Sequence, residues 1–309
     1  MSTLLVTHPS GLNHLTGAGH PERPDRLRAI ERALADERFK PLVRVEAPAA
    51  EVESIARCHP MDYVTAIREA SPKEGMVRLD ADTAMSPGTF EAALRAAGGA
   101  VHAVDQVMSG KAANAFVAMR PPGHHTETAR PMGFCIFNNA AIAARHAQSR
   151  HGAERAAIVD FDVHHGNGSQ DIFWSDPTVM YCSTHQMPLY PGTGARDERG
   201  EHGTIVNAPL SPGDGGDQFR EAFETTILPR LMQFRPDLIV ISAGFDAHMR
   251  DPLANLNLLE ADFEWATRKL MELAEASAQG RVVSVLEGGY DLEGLANSAA
   301  VHVGALMRG

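Results

Sequence analysis

In the segment Ala156-Ala-Ile-Val-Asp-Phe-Asp-Val-His-His-Gly-Asn-Gly168, an apolar run ends abruptly in two aspartates and two histidines. The run, Ala156 to Val159, predicts a buried strand, so Asp160, Asp162, His164 and His165 fall at its C-terminal end, before a glycine turn. In open α/β sheets that edge binds ligands. Asp162 and His164 are two residues apart, which in extended chain points them to one side as an oxygen-plus-nitrogen pair of metal ligands. The bland alternative is a strand-end turn of solvated polar groups, but buried charges need partners. Asp237-Leu-Ile-Val-Ile-Ser-Ala-Gly-Phe-Asp246 repeats the pattern and offers Asp246 as a third ligand from a neighbouring strand. Two Asp and one His leave room for water and substrate, as catalytic metals require. Alternatively, Asp246 caps or turns the chain before Ala247-His248.

Two further segments carry polar chemistry past apolar runs. Met119-Arg-Pro-Pro-Gly-His-His125 places two histidines on a loop stiffened by Pro121, Pro122 and Gly123. Such a pair can hold one proton and accept another near neutrality; a surface or chelating His pair is the alternative. Val282-Val-Ser-Val-Leu-Glu-Gly-Gly-Tyr290 runs a strand into glycines that let backbone approach a ligand. The Tyr290 hydroxyl is then available to a substrate oxygen, unless the ring is merely packed.

The elements that must position these groups alternate strand and helix. Strands are expected at Leu4–Thr7, Phe116–Met119, Ile158–Phe161, Val179–Ser183, Thr204–Ala208, Leu238–Ser242 and Val282–Leu286. Helices are expected at Pro24–Glu37, in two pieces across Glu51–Ala70, and at Thr89–Met108, Asn138–Ser149, Gln218–Gln233 with a break near Pro229, Leu259–Ala278 and Leu292–Met307. Alternation of this kind predicts an α/β fold, a mainly parallel sheet with helices on both faces and the site at the C-terminal strand ends. The candidate residues span 120 to 290, so residues 1–309 are read as one domain.

Together the segments identify a family. Arg120-Pro-Pro-Gly-His-His125, Gly133-Phe-Cys-Ile-Phe-Asn-Asn139, Asp160 through Gly168, Tyr190-Pro-Gly-Thr-Gly194, Gly244-Phe-Asp246 and Glu287-Gly-Gly-Tyr290 stand in one order. On them the chain resembles the histone deacetylase and acetylpolyamine amidohydrolase family over nearly its whole length. His20-Pro-Glu-Arg-Pro-Asp-Arg26, Glu287 and Asn167 resemble its class II branch. The resemblance implies the arginase–deacetylase fold and hydrolysis of an acylated amine, an acetyl-lysine peptide or a small acylated amine such as an acetylpolyamine. It implies one Zn²⁺ on Asp162, His164 and Asp246, although this donor set also accepts Fe²⁺ or Mn²⁺. Arginases, the relatives with two manganese ions, want extra aspartates where His165-Gly-Asn167 stands, which favours one metal.

By the same resemblance, Asp160 backs His124 and Asn167 backs His125. A carboxylate raises imidazole pKa more than a neutral amide does, so His124 is expected to stay protonated and His125 to shuttle protons. Gly133, Phe134 and Tyr190 match an acyl-lysine tunnel, and Asp82 a rim acid that binds substrate backbone. Asp160, Asp162, His164, Ser183 and Thr184 match a structural K⁺ site. Leu253 replaces the glutamate of polyamine-selective relatives and cannot pair with an internal ammonium. A member that binds acyl ligand without turnover remains the alternative from another class.

Composition is compatible with this. The 309 residues are 44% hydrophobic and 22% charged, ordinary for a globular chain. The net charge of −11 argues against a nucleic-acid surface and tolerates cationic substrates. Cys58, Cys135 and Cys182 are dispersed, which suggests reduced thiols and a cytoplasmic setting. The first residues resemble no signal peptide, and no run is long and apolar enough for a membrane span. Homo-oligomerisation stays open.

Overall fold

The structure, a computed structural model, describes residues 2–309. Its strands are β1 (Thr3–Thr7), β2 (Val43–Glu46), β3 (Val77–Arg78), β4 (Ala84–Met85), β5 (Asn114–Val117), β6 (Ala156–Asp160), β7 (Val179–Gln186), β8 (Ile205–Leu210), β9 (Leu238–Ala243) and β10 (Val282–Leu286). Its α-helices are α1 (Asp25–Ala33), α2 (Val52–Ile55), α3 (Met61–Ala70), α4 (Thr89–Met108), α5 (Asn139–His151), α6 (Asn167–Phe173), α7 (Gly216–Ala222), α8 (Leu228–Phe234), α9 (Glu260–Ser277) and α10 (Leu292–Leu306). Eight strands form one sheet in the order β2-β1-β5-β10-β9-β6-β7-β8, every pair parallel. This is the arginase–deacetylase arrangement expected above.

Strand periodicity divides the core. Leu5, Phe116, Val159 and Ile241 face α1, α7, α8, α9 and α10, packing on Ile30, Phe219, Leu231, Phe263 and Val303. Their neighbours Leu4, Val117, Ile158 and Val240 face the other way onto Val64 of α3, Ala96 and Ala100 of α4, Ala144 of α5 and Phe173 of α6. Both faces are covered, so these strands are apolar throughout rather than alternating.

The register brings the ends of four neighbouring strands level. Val117 pairs with Val285, Leu286 with Ala243, and Asp160 with Ser242. The chain passes from β5 to β6 and leaves room between them that β9 and β10 later fill. The loops after β5, β6, β9 and β10 therefore emerge side by side at the centre of the C-terminal edge.

Expected boundaries shift where local chemistry intervenes. The first helix stops at Ala33 rather than Glu37. Asp36 Oδ1 captures the Arg38 N–H at 3.0 Å and starts a separate 3₁₀ turn, Glu37–Phe39. The break expected near Pro229 lies just before it, as a π turn over Phe223–Ile227. Proline brings no N–H to close the preceding α turn, and the wider turn accommodates that. Strand β2 and the β3–β4 hairpin were not expected. Both are short and largely exposed, so they lack an apolar period.

Candidate active site

Asp160, at the last position of β6, is buried and accepts from three sides. His124 Nδ1 lies 3.0 Å from its Oδ2, the Tyr181 hydroxyl donates to Oδ2 at 3.1 Å, and the Asp162 N–H donates to Oδ1 at 3.1 Å. Beyond Asp160 the chain bends, so Asp162 and His164 are not held by the strand alternation expected above. Instead, the turn closes on itself: the His164 N–H donates to Asp162 Oδ1 at 2.9 Å. The Gly288 N–H reaches Asp162 Oδ2 at 2.8 Å, and the Val163 N–H reaches Asp246 Oδ1 at 2.8 Å. Asp246 is thus cross-tied to the β6 loop rather than capping a helix. A Cβ at Gly288 would overlap Asp246 Oδ2, so this close approach requires glycine.

Asp162, His164 and Asp246 converge. Their ligand atoms lie within 4.8 Å of one another, and all three residues are buried. His164 Nδ1 is 3.2 Å from Asp162 Oδ1 and 3.1 Å from Asp246 Oδ2. Burial disfavours a charged His164, but hydrogen bonds to the two carboxylates outweigh it and lift its pKa to about 10. Burial, then the Asp162 charge, pushes Asp246 up to about 7.

The two loop histidines lie alongside, their ring centroids 4.0 Å apart. Their backbone is anchored by Glu287, whose Oε2 accepts from the Gly123 and His124 N–H groups at 2.7 and 3.1 Å. Burial opposes charge on His124, yet Asp162 and Asp160 hold its pKa well above the ordinary imidazole value. His125 Nδ1 lies 2.9 Å from Asn167 Oδ1. Burial, then the neighbouring His124 and His164 charges, keep His125 well below its ordinary value.

A cavity of about 230 Å³ opens onto this cluster, lined by Asp82, His125, Gly133, Phe134, His164, Leu189, Tyr190, Leu253 and Tyr290. Every residue singled out in the sequence for the tunnel is on its wall, and His124 is not. Tyr190 stands edge-on to His125, centroids 5.2 Å apart. Phe134 stands edge-on to Tyr290 at 5.9 Å. Phe134 holds a left-handed backbone, φ 68°, unusual for an aromatic residue. The β3–β4 turn secures it: Asp82 Oδ1 accepts from the Gly133 N–H at 3.0 Å, and Thr83 Oγ1 from the Phe134 N–H at 3.1 Å. Asp82 is therefore partly engaged in supporting the wall. Ser183 pairs in register with Asp160, and Thr184 follows it, buried.

Other buried polar groups beside the site carry no role in the sequence reading, although Glu22, Arg26 and Arg120 lie within the quoted motifs. Glu22 is fully buried between Arg26 and Arg120, with Arg26 Nη1 at 3.0 Å and Arg120 Nη2 at 2.6 Å. Arg26 donates to the Gly289 carbonyl at 2.7 Å and to the Glu287 carbonyl, and its guanidinium lies 4.9 Å from the Tyr290 ring centre. This cluster sets the backbone that carries Tyr290. Tyr181 and Glu127, which contact Asp160 and Asn167, are also invisible to pattern, because each acts across an element boundary.

The geometry is that of a family. Residues 20–306 match the model of the histone deacetylase domain. The chain belongs to the histone deacetylase family. It is 39% identical to a probable deacetylase of Archaeoglobus fulgidus, over 100% of this chain and 87% of that one. It is 41% identical to a histone deacetylase-like amidohydrolase of Pseudomonas aeruginosa, covering 88% and 73%. Among solved structures, the HDA15 HD domain superposes with a TM-score of 0.94 at 36% identity, covering 100% of this chain and 89% of that chain. The histone deacetylase family member described here is thus a hydrolase of the deacetylase and amidohydrolase type.

Proposed function

We propose that this protein hydrolyses the amide of an acylated amine, acetyl-lysine or a similar side chain, with one divalent metal, Zn²⁺, held by Asp162, His164 and Asp246. The observation that carries the proposal is the convergence of those three buried donors, with His164 on the wall of a cavity that Phe134, Tyr190 and Tyr290 also line. The donor set fits the ion: two carboxylates and an imidazole crowd together with no Arg or Lys paired to them among the described residues. When bound, the ion polarises the amide carbonyl and makes water a nucleophile near neutral pH.

The chain's own residues do the rest. Phe134, Tyr190 and Leu253 enclose the aliphatic stem of the substrate and exclude water. His125 lines the cavity with Nδ1 engaged by Asn167, so its Nε2 takes the proton from the attacking water. His124, set behind it against Asp160, stays protonated and stabilises the developing negative charge. The Tyr290 hydroxyl donates to the oxyanion. His125 returns its proton to the departing amine, leaving acetate and free amine.

Asp160, Ser183 and Thr184, with backbone carbonyls of Asp162 and His164, are proposed to hold a structural K⁺; the adjacency of β6 and β7 supports this. The three buried free cysteines accord with a cytoplasmic enzyme. Leu253 on the cavity wall favours acyl-lysine over acetylpolyamine, because it offers an internal ammonium no partner.

The test is release of acetate from an acetyl-lysine peptide and from N-acetylspermidine, using metal-free protein, Zn²⁺-restored protein and Tyr290→Phe. Zinc-dependent turnover of the peptide, lost in Tyr290→Phe, is expected. Turnover of the polyamine alone would move the substrate class. No turnover of either with metal bound would favour an acyl-binding protein.

A further inference from the structure

Behind His125 lies an arrangement that His124 lacks. His124 Nδ1 faces Asp160, and a carboxylate accepts a proton's hydrogen bond whichever way it turns. His125 Nδ1 faces Asn167 Oδ1, and an amide has two unlike ends. Rotated by half a turn, Asn167 would present its NH₂ to that nitrogen. The proton of a neutral His125 would then be driven onto Nε2, and the base would be lost.

The group that decides the rotation lies on the far side of Asn167. Asn167 Nδ2 donates to Glu127 Oε1 at 2.9 Å and lies 3.3 Å from Met132 Sδ. An ionised carboxylate and a thioether only accept. A rotated amide would aim its oxygen at both. The backbone on either side is tied, with the Asn167 N–H on the His165 carbonyl at 2.9 Å and the Glu127 N–H on the Arg130 carbonyl at 3.1 Å. The amide rotor is therefore the free variable, and Glu127 sets it.

We propose that Glu127 is a positioning residue for proton transfer: its carboxylate orients the Asn167 amide so that His125 carries its proton on Nδ1 and keeps its Nε2 lone pair toward the cavity. The catalytic part of this rests on the deacylase reading above. Glu127 touches neither substrate nor reacting atoms; it acts through Asn167.

The arrangement predicts a reversal of sign between two backgrounds. Glu127→Gln replaces an acceptor-only group with one that also donates, so the Asn167 amide is no longer held in one sense. In Asn167→Asp the new carboxylate accepts from His125 without orientation, and Glu127 only adds a like charge beside it.

The experiment compares the wild type, Glu127→Gln, Asn167→Asp and the double variant by kcat and KM on an acetyl-lysine peptide. Two-bond ¹H–¹⁵N spectra of histidine-labelled protein, with His125→Ala to assign the signal, report the His125 tautomer. Glu127→Gln is expected to lower kcat about tenfold, as loss of a supporting hydrogen bond does, with KM little changed and the Nδ1–H tautomer depleted. In the Asn167→Asp background the same change is expected to recover activity. An equal fall in both backgrounds, or a His125 that remains wholly Nδ1–H in Glu127→Gln, overturns the proposal. The two readings fail separately. If the wild type turns over no acylated amine while Glu127→Gln still shifts the tautomer, the reaction falls and the positioning stands. If turnover is present and neither tautomer nor sign moves, the positioning falls and the reaction stands.

Discussion

Two groups of buried acid sit at one sheet edge and are completed differently. Glu22 is surrounded by Arg26, Arg120 and His14, so its charge is answered within the chain. Asp162 and Asp246 are as deeply buried, yet among the described residues the side chains ion-paired to them are histidines, not arginines or lysines. A buried carboxylate with its own guanidinium is finished when the chain has folded. One without it is finished by a proton or a cation. The first group is answered within the fold, and the second is the one for which a bound metal is proposed. Arg26 joins them, pairing with Glu22 while holding the Gly289 carbonyl and lying against the Tyr290 ring.

The comparison breaks most directly at Asp246. Asp246→Asn is expected to cost on the order of 10³-fold in kcat/KM, several kcal/mol of carbonyl activation. It should also abolish thermal stabilisation by Zn²⁺, which for the wild type is about 2.7 kcal/mol at a hundredfold excess over Kd. The metal-free variant should be no less stable than metal-free wild type, since a buried like charge is gone. A metal-free variant that unfolds more easily would place Asp246 with the structural group.

Arg120→Met is the converse. It leaves Glu22 buried without its main partner and should cost about 3–5 kcal/mol by urea unfolding, with no change in the number of metal ions bound by the folded fraction. The same group sets an acid dependence. Burial opposes charge on Glu22, but Arg120, then His14, hold its pKa well below the ordinary carboxylate range. A depressed pKa contributes stability above the unfolded value, about 4.3, and loses it as pH falls through the folded value. The gap in urea midpoint between wild type and Glu22→Gln should therefore be widest near neutrality and narrow in acid. A gap that widens in acid would show that Glu22 is not the charged partner.

Tyr290→Phe should lower kcat by about 10²–10³-fold, as removal of one oxyanion donor does, while thermal stability and metal stoichiometry stay unchanged. Loss of stability would mean that the hydroxyl holds the fold rather than acting on the oxyanion, since phenylalanine keeps the ring that lies against Arg26. The smallest effect is expected from Asn167→Asp. A carboxylate beside His125 raises its pKa, so the acid limb of the pH–rate profile should move up by about one unit. An unmoved limb would remove His125 from the role of base.

The candidate site was largely legible in sequence because its residues sit within a few positions of strand ends, where apolar runs stop. Asp162, His164, Asp246, His124, His125 and Tyr290 were all found that way, and the family motifs added Phe134, Tyr190, Asp82 and Leu253 to the wall. Asp162 and His164 meet through a bent turn and not through strand alternation. Glu127, Tyr181 and the Glu22–Arg26–Arg120 set were missed as functional groups. Apart from the Glu22–Arg26 pair, four residues apart, they work through contacts between segments 15 to 263 residues apart, and local pattern carries no such information. Strand β2 was missed because an exposed edge needs no apolar face.

The sequence by itself determined the alternation of strands and helices, the chemical types available at the strand ends, and the family. Those follow from hydrophobic period and residue identity, which are local. The tertiary structure decided which strands became neighbours, and hence that loops after β5, β6, β9 and β10 share one cavity. It also decided which acids received an arginine and which stand with histidines instead, because the charge a buried group carries depends on what other segments place within a few ångströms of it.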